Sequence, residues 1–266
     1  MNKQSEKNNI NTAENNFLGE FFHSKNILLE GETLDDLQCD GLMLIQKNGG
    51  YKFSTDAVLL SNFVKAKPSD VLVDLCSGSG VVAILASYKN EIKNAFMVEI
   101  QPRLSDMAKR SLIYNGISNI VPICADLSIV HEILGHEMAD VITVNPPYFE
   151  VGEVKQTEEV AVAMHEIKTS LKSICEESSK LLKFGGKFFM VHSAERLVDI
   201  ISLLRANSIE PKRLRVVYPK QNKAPNLVLI EAKKGGRAGL KIESPLILNN
   251  DDGTETDELK KIYNRK

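Results

Sequence analysis

Val71-Leu72-Val73-Asp74-Leu75-Cys76-Ser77-Gly78-Ser79-Gly80 is followed by an apolar run from Val81 to Tyr88. The Val- and Leu-rich start reads as a buried strand, the two glycines as a turn, and the run after them as a helix. Strand, glycine turn and helix in that order open an α/β sheet. The rhythm continues. Strands are expected at Asn94 to Ile100, Val121 to Asp126, Ala139 to Val144 and Lys187 to His192. A helix between the first two starts at Pro102 and stops at Gly116, the Pro-in, Gly-out asymmetry of helix ends. Pro122 places the Val121 strand at an edge or at its own start. Val160, Met164, Ile167, Leu171, Ile174 and Leu181 predict one long helix, turned into the Lys187 strand by Gly185-Gly186. After a helix from Ala194 to Asn207 come strands Leu214 to Tyr218 and Asn226 to Ala232. Their connection, Pro219 to Pro225, is too short for a crossover, so they pair antiparallel. The expectation is an α/β fold: a seven-stranded, mostly parallel sheet with a terminal antiparallel hairpin and helices on both faces.

Around this sheet, residues 1–20 are polar and Asn-rich and read as a disordered tail. Residues 21–67 read as a small hairpin or lid plus a helix from Thr55 or Asp56 to about Ala66, ended by Pro68. Residues 68–248 hold the sheet, and 249–266 form an extension. The chain has 266 residues, 43% of them hydrophobic, enough for one α/β domain with a substantial core. No apolar stretch reaches the roughly 18 residues of a membrane span, and no secretory leader pattern is visible. A cytoplasmic protein is expected. Cys39, Cys76, Cys124 and Cys175 are widely spaced and read as reduced thiols, and the five histidines show no metal-ligand spacing; no metal is expected. Between Pro211 and Lys241 nine basic residues, including Lys212, Arg213, Arg215 and Lys220, face one acid, Glu231. That net +8 leaves −10 for the rest of a chain whose total is −2. The asymmetry points to a polyanion-facing edge; a lysine-blunted edge strand is the other reading.

The strand Val141-Ile142-Thr143-Val144 runs into Asn145-Pro146-Pro147-Tyr148. This tetrapeptide supplies an amide oxygen, a backbone carbonyl held by two prolines and an aromatic face, a set suited to a planar exocyclic amine. Such a nitrogen is a poor nucleophile because its lone pair is delocalised into the ring. Two acceptors, the Asn145 oxygen and the Pro146 carbonyl, pull it towards sp³ geometry and free the lone pair. Tyr148 can stack on the base, worth about 1–3 kcal/mol. Transfer in line then rests on positioning. Ligands of open α/β sheets bind beyond the carboxyl ends of the strands. Asp74, Glu99, Asp126 and Asn145 all fall there. Asp74 can meet an ammonium group and Glu99 two ribose hydroxyls. Asp126 suits an adenine amino group or, equally, a helix cap. Together these residues point to methyl transfer from S-adenosylmethionine to an amino nitrogen.

With these residues the chain resembles the tRNA adenine-N6 methyltransferases that modify the adenosine 3′ of the valine tRNA anticodon, particularly shorter relatives from Gram-positive bacteria and mycoplasmas. The resemblance spans about Gly31 to Tyr263. It rests on Gly31-Glu32-Thr33-Leu34-Asp35-Asp36-Leu37, Phe53-Ser54-Thr55-Asp56-Ala57-Val58-Leu59-Leu60, Val98-Glu99-Ile100-Gln101, Asn145-Pro146-Pro147-Tyr148, Pro211-Lys212-Arg213-Leu214-Arg215 and Pro245-Leu246-Ile247. It implies a Rossmann-like class I methyltransferase fold, S-adenosylmethionine as cofactor and tRNA as partner. It implies an adenine clamp at Asn145, Pro146, Pro147 and Tyr148. Cofactor contacts fall on Thr55, Asp56, Asp74, Cys76, Gly78, Gly80, Glu99, Ile100 and Asp126, with RNA contacts at Lys212, Arg213, Arg215 and Lys220. Two departures are visible: Ser54 stands where the Thr-Asp motif usually has Gly, and Cys76-Ser77 replaces a Gly-containing pair.

The tetrapeptide alone does not choose the acceptor. Similar enzymes methylate rRNA adenine or guanine N2, DNA adenine, or a release-factor glutamine. A fold that binds RNA without catalysis is a further reading, against which the intact Asn145 and glycines stand. An NAD-dependent oxidoreductase would lack its third glycine here and leave Asn145 to Tyr148 without a role. The sequence leaves the oligomeric state open.

Overall fold

The computed structural model describes residues 27–48, 53–147 and 170–265. Tyr148, the tail at 1–20, His23, His165 and the apolar positions Val160, Met164 and Ile167 lie outside the described residues. The chain begins with an antiparallel hairpin, β1 (Glu32–Asp36) and β2 (Met43–Lys47). Then come α1 (Thr55–Phe63), β3 (Val71–Leu75), α2 (Val81–Asn90), β4 (Asn94–Glu99), α3 (Pro102–Tyr114) and β5 (Ile120–Cys124). A 3₁₀ turn at Leu127–Ile129 leads into α4 (Val130–Leu134) and β6 (Ala139–Val144). The second half comprises α5 (Leu171–Leu181), β7 (Leu182–Ser193), α6 (Leu197–Ala206), β8 (Ile209–Lys220) and β9 (Leu227–Lys234). Two short strands, β10 (Lys241–Ile242) and β11 (Leu246–Asn249), precede α7 (Asp257–Ile262).

The large sheet has the order β10-β8-β9-β7-β6-β3-β4-β5, with β11 also on β8. β7, β6, β3, β4 and β5 are parallel neighbours, and β9 lies antiparallel between β7 and β8. All seven expected strands are present, hairpin included. Side-chain alternation sends each strand's apolar residues to two buried layers. Leu72, Val141, Phe189 and Leu229 pack with residues of α1, α2 and α3 on one face. Val73, Ile142, Phe188 and Ile230 pack with residues of α5 and α6 on the other. Pro102 opens α3, and β5 with Pro122 is the sheet edge, as their chemistry requires.

Four expectations need correction. The basic segment is not an open edge: β10 and β11 run end to end along β8 and pair with it in parallel between Arg213 and Lys220, which covers the C-terminal part of that 12-residue strand. The helix expected across Val160 to Leu181 does not run through Ser170. That residue is extended, and its Oγ accepts the Ser173 N–H at 3.1 Å, starting α5 at Leu171. Gly185-Gly186 do not precede the strand but lie within it, in a bulge where register slips between Ala139 and Val141 of β6. Finally, α1 has Ser54 at its cap position and ends at Phe63 rather than Ala66. Val64 is extended, and the Phe63 carbonyl accepts from Arg213 Nη2 at 2.7 Å.

Candidate active site

The site grows out of strand register. Leu75 of β3 pairs with Val144 of β6 on one side and Val98 of β4 on the other. Cys76 and Asn145 are therefore the first residues off two neighbouring strands, about 4.8 Å apart in the sheet direction. Glu99 pairs with Cys124 at the end of β5, two residues before Asp126. Asn145, Cys76, Glu99 and Asp126 thus stand in a row along four adjacent carboxyl ends, the crevice side of such a sheet. Asn145 is half-buried, Pro146 buried and Pro147 exposed.

The loop from Cys76 to Gly80 is tightly held. Ser77 N–H donates to the Val98 carbonyl at 3.0 Å and Gly80 N–H to the Ser77 carbonyl at 2.8 Å. Gly78 N–H donates to Glu99 Oε2 at 2.8 Å, and Gln101 N–H to Glu99 Oε1 at 2.9 Å. The buried Glu99 carboxylate therefore ties the β3 and β4 loops together; a carboxylate accepts up to about four such bonds. Cys76 has φ +57°, a left-handed conformation costly for a side chain with a Cβ. Burial, with Glu99 and Asp74 nearby, pushes its thiol pKa upward. Gly80 has φ +93°, and a Cβ there would come within 2.6 Å of Met97 Sδ, whereas a Cβ at Gly78 would meet nothing within 4 Å. A Gly80→Ala variant is expected to lose about 2 kcal/mol in urea unfolding, from backbone strain plus overpacking against buried Met97.

Asp74 is not at the rim. Its residue is 1% exposed, and Oδ1 accepts from the Thr143 hydroxyl at 2.6 Å. Oδ2 is buried without a hydrogen-bond partner, as is Ser77 Oγ. Desolvation pushes the Asp74 pKa up to about 7; the Thr143 hydroxyl and the Ala83 N–H in the first turn of α2 oppose the shift, and Glu99 adds to it. Asp126 caps the 3₁₀ turn, its Oδ1 accepting from Ser128 N–H at 2.9 Å and Ser128 Oγ at 2.8 Å. Thr55 and Asp56 form the first turn of α1, and Thr55 Oγ1 accepts from the Tyr263 hydroxyl at 3.2 Å.

A family model described as the methyltransferase small domain matches residues 53–206, a span that contains the glycine loop, Glu99 and Asn145. The chain belongs to this family. Among relatives of this methyltransferase-family chain is the tRNA1(Val) (adenine(37)-N6)-methyltransferase of Aliivibrio salmonicida. It is 23% identical over 212 residues, covering 78% of this chain and 87% of the relative. A protein of the same name from Parabacteroides distasonis is 26% identical over 191 residues, 68% of this chain and 76% of its own. Among solved structures, a predicted O-methyltransferase, Atu636 of Agrobacterium tumefaciens, superposes with a TM-score of 0.65 at 20% identity. The match covers 79% of this chain and 96% of that one. M. jannaschii TYW2, solved with AdoMet, gives 0.54 at 16% identity over 77% and 87%. These structures share the fold.

In the basic segment of this methyltransferase-family chain, the four expected RNA contacts each have partners within the chain. Arg213 is an internal strut, with Nε on Glu231 at 2.7 Å, Nη1 on Glu243 at 3.4 Å and the guanidinium 3.8 Å over the Phe63 ring. Arg215 bonds Glu258 at 2.7 Å and the Ser244 carbonyl at 3.0 Å. Lys212 Nζ donates to the Arg237 carbonyl, and Lys220 Nζ to that of Asp251. Because β8 runs parallel to β7, Lys220 lies at the same sheet end as Asn145 and Lys212 at the opposite end. His131 bonds Glu177 at 2.8 Å, and burial holds His192 neutral by lowering its pKa to about 4. Among the described residues no cluster of three or more His, Cys, Asp or Glu is placed to hold a metal ion, and no helix is long and apolar enough to cross a membrane. All four cysteines are free thiols. Sequence reasoning missed Thr143 and Tyr263; a lone hydroxyl in the apolar run Val141 to Val144 was the available signal for the first.

Proposed function

We propose that this chain transfers a methyl group from S-adenosylmethionine to the N6 amino group of an adenosine in tRNA, the one 3′ of the anticodon of valine tRNA. The supporting observation is the juxtaposition of Asn145-Pro146-Pro147 with the Cys76–Gly80 loop at the ends of paired strands β6 and β3. The cofactor fits the residues present. Asp74 Oδ2 and Ser77 Oγ are buried polar atoms without partners, suited to an ammonium group and a polar neighbour. Gly78 and Gly80 keep the backbone approachable, and on this reading Glu99 and Ile100 would hold the ribose and Asp126 would accept from the adenine amino group. Thr55, Asp56 and Cys76 would supply the remaining cofactor contacts. When bound, S-adenosylmethionine supplies an electrophilic methyl on its sulfonium sulfur.

The chain's own residues do the rest by placement. Asn145 Oδ1 and the Pro146 carbonyl each accept one amino N–H and so localise the lone pair. Neither takes a proton, and the one displaced on nitrogen passes to solvent. Tyr148, next in sequence, offers its ring to the base. In duplex RNA the base would have to leave its stack, whereas a loop adenosine is reached at lower cost. A tRNA substrate also makes the cytoplasm the working compartment.

For RNA contact this reading favours Lys220 with Lys223 on the β8–β9 connection over Arg213 and Arg215, whose guanidinium groups are committed internally. Charge reversal at Lys220 and Lys223 together is expected to weaken tRNA binding and reduce the slope of log affinity against log salt by about 0.7–0.9 per lost phosphate contact. Filter binding over a salt series measures this; an unchanged slope removes these lysines from the interface. The cofactor is tested by calorimetry, with S-adenosylmethionine expected to bind in the micromolar range and NAD not at all. Binding of NAD instead would overturn the reading.

A further inference from the structure

We infer that Thr143 is a positioning residue that joins the two halves of the site, by aiming the Asp74 carboxylate from the strand that also carries Asn145. This rests on the cofactor reading above. Thr143 and Asp74 are directly paired across β6 and β3, are 0% and 1% exposed, and share a hydrogen bond of 2.6 Å. A hydroxyl in this apolar layer has no packing reason to be there, since Val would fill the same volume. Its bond occupies Oδ1 and fixes the carboxylate plane, so Oδ2 remains the unpartnered acceptor. Thr143 sits two residues before Asn145, so the geometry of the ammonium partner and of the amine clamp are set by one strand.

The hydroxyl also favours the charged form of Asp74. The groups facing this carboxylate are Glu99 from β4, the Cys76 thiol from the following loop, the Ala83 N–H from α2 and Thr143 from β6. Glu99 and burial raise the Asp74 pKa, while Thr143 and Ala83 lower it. Removing the Thr143 hydroxyl therefore moves Asp74 further upward. Binding of a cationic ammonium group would then begin at higher pH.

The test measures S-adenosylmethionine affinity of the full chain from pH 5.5 to 9 for wild type, Thr143→Val and Thr143→Ser. Wild-type affinity is expected to rise through about pH 7. Thr143→Val is expected to displace the midpoint upward by about one pH unit and so to bind about fivefold more weakly at pH 7, where the wild-type carboxylate is already half protonated. Thr143→Ser, which keeps the hydroxyl, is expected to restore both. A Thr143→Val midpoint and affinity equal to wild type would overturn the inference while leaving the cofactor reading intact. Loss in both variants alike, with an unmoved midpoint, would make Thr143 a packing residue only. A wild-type chain that binds no S-adenosylmethionine at any pH would overturn both.

Discussion

Asn145→Ala is expected to lower the rate of methyl transfer by about 10³-fold, the scale seen when one preorganised polar group is removed from a reacting centre, and to leave S-adenosylmethionine affinity within about twofold. The reason lies in position. Asn145 leaves β6 beside the glycine loop, which Glu99 and the Val98 carbonyl hold in place. Its loss removes one of two acceptors on the target amine, and the other, the Pro146 carbonyl, stays with the backbone. Single-turnover rates and cofactor calorimetry on the same preparation separate the two effects. Equal loss of cofactor binding and turnover would make Asn145 a structural residue of the loop.

Arg110→Ala is expected to cost about 3–5 kcal/mol of stability, the range for removing one partner of a buried ion pair. Arg110 on α3 grips Glu32 of β1 with two bonds, Nη1 to Oε2 at 2.6 Å and Nη2 to Oε1 at 2.8 Å. Side-chain exposures are 6% and 1%. The same guanidinium holds the Ile27 carbonyl at 2.7 Å and Asp106 at 2.8 Å. Without it the Glu32 charge is left buried and unpaired. Neighbouring positions on α3 extend the clamp: Ser111 Oγ accepts Ile45 N–H, and Asn115 exchanges bonds with both backbone groups of Met43. The variant should release the N-terminal hairpin first, visible as faster amide exchange in β1 and β2. A pH signature accompanies this. Arg110 holds the Glu32 carboxyl below the usual range, so the pair stabilises fully above the unfolded value of about 4.5 and loses its contribution as pH falls below it. Urea midpoints of wild type and variant should therefore converge in acid; parallel curves would contradict the assignment.

The fold was legible where chemistry is local. Hydrophobic runs separated by glycine turns marked the seven strands, and a seven-residue connection of Pro219 to Pro225 settled the antiparallel hairpin. The row of Glu99, Asp126 and Asn145 followed from the rule that such sheets bind ligands at carboxyl ends. What escaped the sequence depended on distant partners. Nothing near Arg213 in sequence says that Glu231, Glu243 and the Phe63 carbonyl converge on it, so its internal partners were not legible. Lys241–Ile242 and Leu246–Asn249 are too short to signal strands and exist because β8 offers an edge. Asp74 was placed at the rim, but its carboxylate is buried against Thr143, a pairing visible only once β3 and β6 are in register. Asp126 kept both readings, since a cap on Ser128 leaves a carboxylate with further acceptor capacity.

The most direct test of the central claim is transfer of labelled methyl from S-adenosylmethionine to total unmodified tRNA, followed by nucleoside mass spectrometry of the fractionated product. The account predicts N6-methyladenosine in one tRNA species, the valine tRNA, at the adenosine 3′ of the anticodon. Label appearing only in rRNA, DNA or release factor would contradict the tRNA assignment while leaving the amine chemistry of Asn145 standing, and no transfer to any of these acceptors would contradict the account at its root.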